Sequence, residues 1–81
     1  MHELSVAVSL VELACEEMER RGLQRVQALH LRLGSLSAIV TDALRFSFDV
    51  ASAGTPIEGA SLKVEVTSGH EVQLFALEVA E

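Results

Sequence analysis

The chain opens Met1-His2-Glu3, the most informative tripeptide in the sequence. A free α-amine titrates at about 7.7 to 8, low enough to become a metal donor near neutral pH. From that nitrogen, the His2 backbone nitrogen closes a five-membered chelate ring, and the His2 imidazole closes a six-membered one. The amide has to give up its proton, and only late first-row ions bind nitrogen strongly enough to drive that step. The resulting tetragonal, nitrogen-rich geometry suits Ni(II) or Cu(II) better than Zn(II) or Mg(II). Glu3 can complete the site through its own backbone nitrogen or its carboxylate. Residue chemistry leaves a second reading open, a solvated chain end that holds nothing.

The remaining chemistry-bearing residues are fewer. His30 sits in the middle of an alternating run and His70 in a turn beside Glu71; neither has a second ligand at chelating spacing, so each reads as a surface or satisfied structural histidine. Cys15 is the only cysteine, which excludes an intrachain disulfide and an all-thiolate zinc site. It falls on an apolar helical stripe, where a buried and inert thiol is expected. Glu16, Glu17 and Glu19 read as a solvated helix face, and Asp42 becomes a ligand only if its helix starts near the chain start. The sequence has no glycine-rich phosphate loop, HExxH, paired cysteines or nucleophile-elbow serine. We expect no catalytic residue and no enzyme.

These residues need elements to place them. Between Leu4 and Arg21, Leu4, Ala7, Val8, Val11, Ala14, Cys15 and Met18 recur at three- and four-residue steps. That spacing predicts an amphipathic helix, closed by Gly22 behind two arginines. The period then changes to two: Leu29, Leu31 and Leu33 alternate with His30 and Arg32, predicting a strand over 25–33 that ends at Gly34-Ser35. A second helix is expected from Thr41, as N-cap, towards Gly54, with Leu44, Phe48 and Ala51 inward and Phe46 and Val50 widening the apolar stripe. After the loop at Gly54-Thr55-Pro56 and Gly59, Leu62, Val64 and Val66 alternate with Lys63, Glu65 and Thr67. The closing run is Val72 to Val79. The short turn at 67–70 predicts that these last two strands pair as an antiparallel hairpin.

The expected class is therefore α+β, in two layers: order α-β-α-β-β, with a three-stranded mixed sheet and both helices on one face. His30, Arg32, Lys63 and Glu65 should lie on the other face. A three-stranded sheet also leaves two unpaired edges, open to self-association or to a partner.

Eighty-one residues, 49% hydrophobic and 22% charged, suit one folded domain and exclude a disordered tail. A domain this small has a thin margin of stability, so a homodimer is an expected partner state. The net charge of −6 makes nucleic acid and anionic membrane poor partners and favours metal cations and basic surfaces. Charge interrupts every apolar run well before about 18 residues, and the start lacks the basic and apolar blocks of a signal peptide. The expected location is the cytoplasm.

Four separate blocks carry a resemblance: Met1-His2-Glu3-Leu4-Ser5, Leu31-Arg32-Leu33-Gly34-Ser35-Leu36-Ser37, Ala43-Leu44-Arg45-Phe46-Ser47-Phe48 and Ala76-Leu77-Glu78-Val79. Together they resemble the HypA/HybF family of nickel metallochaperones over nearly the whole chain. The resemblance implies delivery of Ni(II) for maturation of [NiFe]-hydrogenase, in some organisms also of urease, in concert with a HypB-type GTPase and the hydrogenase large subunit. It also implies that Met1, His2 and Glu3 hold the nickel. The family inserts a zinc domain with two CxxC pairs between its last two strands, here between 66 and 70, and this chain instead runs through Thr67-Ser68-Gly69. Residues 1–81 are thus read as a single nickel-binding domain with no zinc expected. The competing reading is a metal-independent interaction module that docks through the bare sheet face or an edge.

Overall fold

Leu29, Leu31 and Leu33 are each at most 2% exposed, and the strand that carries them, β1 (Val26–Gly34), is the centre of the structure. A computed structural model describes residues 2–80. Around β1 the chain places α1 (Glu3–Arg21), α2 (Thr41–Ser52), β2 (Ser61–Thr67) and β3 (Val72–Val79), in the order α-β-α-β-β. The sheet order is β2-β1-β3, with β1 parallel to β2 and antiparallel to β3. The two helices share one core with the inward face of this sheet.

That order corrects the expected hairpin, since β2 and β3 are separated by β1. The strand richest in inward leucines takes the middle position, where both of its edges are paired. β2, whose Val66 is 63% exposed, takes an edge. The connection over Ser68–Glu71 therefore has to cross two strand spacings, about 10 Å, over the end of β1. Three hydrogen bonds hold it there. The Gly34 N–H donates to the Glu71 carbonyl at 2.7 Å, Ser35 N–H to Thr67 at 2.8 Å and Leu36 N–H to Gly69 at 2.9 Å. A Cβ on Gly34 would stand 2.2 Å from the Gly69 carbonyl oxygen, so the crossing requires a residue without one.

α1 ends as expected. Gly22 takes the left-handed conformation (φ 66°), and its N–H and that of Leu23 donate to the Glu19 and Met18 carbonyls. Its buried face is Val6, Ala7, Leu10, Val11, Ala14 and Met18, whereas Leu4 and Val8 are 51% and 41% exposed. The stripe is thus rotated from the expected one. Ala7, Val11, Ala14 and Met18 fit both phases, and the larger Leu10 wins the inward side. In α2, Leu44 and Phe48 are buried as expected, but Phe46 and Val50 are 72% and 56% exposed and do not widen the core. Ile57, in the loop before β2, is fully buried instead.

β3 carries one more correction to simple alternation. Its register against β1 shifts between the His30↔Ala76 and Leu31↔Leu74 pairs, leaving Phe75 as an extra residue. Such a bulge re-aims side chains. Leu74 and Leu77, three apart, both pack on the core, and Phe75 joins the outer face.

Candidate metal centre at the chain start

α1 begins at Glu3, and His2 is its N-cap, with extended backbone (φ −88°, ψ 138°) and no side-chain capping bond. The His2 carbonyl accepts the first helical hydrogen bond, from Val6 N–H at 3.1 Å, and the His2 side chain is exposed. A helix leaves its first N–H groups without an intrahelical partner, and Glu3 N–H is one of them. Met1, the third residue expected at the site, lies outside the described residues.

Glu3 reaches away from this cluster to the other helix. Its Oε2 accepts a hydrogen bond from the Val40 N–H at 3.1 Å. Val40, and not Thr41, is the N-cap of α2, and its own side chain supplies no capping bond. Glu3 therefore fills, from α1, the place that a capping-box glutamate fills within a helix. The Val40 N–H, then Glu3's own N–H, hold its carboxyl below the usual carboxylate value. This contact brings the start of α2 beside the start of α1. Asp42, exposed in the first turn of α2, belongs to the helix end that Glu3 holds. No sequence signal pointed to Val40, because its contribution is a backbone donor.

The other candidates are placed apart from this cluster. His30 lies on the outer sheet face, 3.1 Å from Glu78 and edge-on to Phe75 at 5.9 Å. Lys63 and Gln27 also donate to Glu78, at 3.1 and 2.7 Å, and Arg32 pairs with Glu65 and stacks 4.1 Å from the Phe75 ring centre. His70 is exposed in the crossing connection. Cys15 is half-buried against the core, and burial pushes its thiol up. Among the described residues, no three His, Cys, Asp or Glu side chains converge on one point. A lone, protonated thiol does not make an all-thiolate zinc cage. Nor, among the described residues, is any helix long and apolar enough to cross a membrane.

By architecture, this is a two-layer α+β domain whose central strand separates the two that follow. A solution structure described as the Ni metallochaperone HypA from Helicobacter pylori has the same fold, with a TM-score of 0.86 over 98% of this chain and 97% of that one, at 18% identity. The profile of the family described as hydrogenase/urease nickel incorporation, metallochaperone, HypA, matches residues 1–76. The chain belongs to the HypA family. The hydrogenase maturation factor HypA of Roseiflexus sp. is 62% identical over 65 residues, covering 80% of this chain and 53% of that protein. That of Methanopyrus kandleri is 40% identical over 70 residues, covering 86% and 49%. The chain thus spans about half the length of the curated relatives it matches.

Proposed function

We propose that the chain is a carrier domain for Ni(II), which it holds through Met1, His2 and Glu3 and passes on during [NiFe]-hydrogenase maturation, and for urease where that is the recipient. It acts by ligand exchange and not as an enzyme. The carrying observation is that the family match starts at residue 1 and so takes in the Met-His-Glu start. The helix position of His2 and Glu3 supports the reading. Neither the His2 nor the Glu3 N–H is needed by the α1 ladder, so deprotonating them costs no helical hydrogen bond. An anionic nitrogen there also sits at the positive end of the helix dipole, which favours it over the same anion elsewhere.

Release follows from the same placement. Helix ends open at low free-energy cost, so the donors can be peeled away one at a time by an acceptor. A HypB-type GTPase and the hydrogenase large subunit are the partners this reading assigns, and the cytoplasm is its place.

Calorimetric titration of Ni(II) tests it. His2→Ala should lower affinity at least a hundredfold, whereas His30→Ala and His70→Ala should leave it within about twofold. Equal losses from all three variants would contradict the assignment.

A further inference from the structure

β3 is an outer strand of the sheet, and among the described residues its only ladder is with β1. Its far edge offers backbone N–H and C=O groups to another strand. The opposite edge is partly taken, because Arg45 of α2 already donates to the Leu62 carbonyl of β2.

A groove runs beside the β3 edge. Two adjoining cavities of about 320 and 280 Å³ lie between α1 and β3 and share Leu13 and Leu74 as lining residues. Their helical wall is the stripe Ser5, Ser9, Leu13, Glu17 and Arg21, with the buried Val6 and Leu10 behind it, and Leu13 at its middle is 51% exposed. From Val72 to Leu77 the strand wall spans five rises, about 17 Å at about 3.4 Å each, enough to pair five or six added residues. Every second side chain of such a strand would point into the groove.

Charge selects the occupant. Along α1, the five acids Glu3, Glu12, Glu16, Glu17 and Glu19 outnumber two cations, Arg20 and Arg21, both in the last turn, where Arg21 closes one end of the groove. Glu12 and Glu16 stand exposed within a turn of Leu13, and Arg20 is tied to Glu17. A second copy would bring a net charge of −6 against −6. We propose that the β3 edge and the α1 groove dock an extended, basic segment of a partner protein with apolar residues at alternate positions, which adds to the sheet as a fourth strand. Nickel plays no part in this contact.

The probe is the peptide acetyl-(Lys-Val)4-amide, titrated without metal into the isotope-labelled chain and followed by amide NMR. Shifts should concentrate on residues 72–79 and on Ser5, Ser9 and Leu13, with slowed amide exchange in β3. Leu13→Arg, at an exposed position that should leave folding intact, should weaken binding at least tenfold, as should raising salt from 50 to 500 mM. Shifts mapping to β2 or the outer sheet face would overturn the proposal. So would equal binding of acetyl-(Glu-Val)4-amide, no shifts at millimolar peptide, or a dimer in sedimentation whose interface protects β3. Because the assay contains no nickel, its failure leaves the carrier reading untouched.

Discussion

Gly34 shows how a single missing Cβ permits a topology. Its neighbour across the contact is backbone, the Gly69 carbonyl, which cannot swing away as a side-chain tip would. Gly34→Ala should therefore destabilise the domain by about 2 kcal/mol or more through overpacking, read as a lower midpoint in urea unfolding. Glu78 makes a second residue-scale case. Its bond from Lys63, then that from His30, hold its carboxyl below its ordinary value of 4.5. A carboxylate whose folded pKa is depressed stabilises fully above the unfolded pKa and loses that contribution as pH falls through the folded one. Glu78→Gln should thus be less stable than the parent chain at pH 7, and the gap should close progressively below about pH 4.5. Thermal unfolding across pH 3 to 7 measures it; a gap independent of pH would show that the ion pairs contribute nothing.

At the scale of elements, the two phenylalanines of α2 are separated by only one residue and face opposite fates. Phe48 is 1% exposed and Phe46 is 72% exposed. Phe48→Ala should cost about 3 to 5 kcal/mol, whereas Phe46→Ala should stay within about 0.5 kcal/mol, as chemical denaturation can show. Composition could not separate them, because both belong to an apolar stripe wide enough to be turned either way. The same ambiguity rotated α1: its small and branched residues fit two phases, and only the packed partner chooses between them. Period-2 alternation around Leu29, Leu31 and Leu33, by contrast, admits one inward face, and β1 is placed as read. The helix stop at Gly22 was equally legible, since a left-handed residue behind two arginines leaves little choice. The bulge at Phe75 was not, because an extra residue in one strand is defined only by its partner.

For the whole molecule, the class and element order follow from these local signals, but the strand order does not. A short link between two strands suggests that they are neighbours. Here burial of β1 on both edges outweighs that preference, and a side-chain-free Gly34 lets the link pass. The candidate metal centre divides in the same way. The donors of Met1-His2-Glu3 are visible in the sequence, whereas the tie from Glu3 to the start of α2 joins residues 37 positions apart through a backbone group. With one cysteine in the chain, the purified protein should carry less than a tenth of an equivalent of zinc by elemental analysis. The absorption spectrum of the nickel complex tests the central claim most directly, recorded for the chain beginning at Met1 and for a form with two residues added before it. The account predicts a yellow, square-planar species for the first and its loss in the second. Identical spectra, or a pale octahedral complex in both, would contradict it.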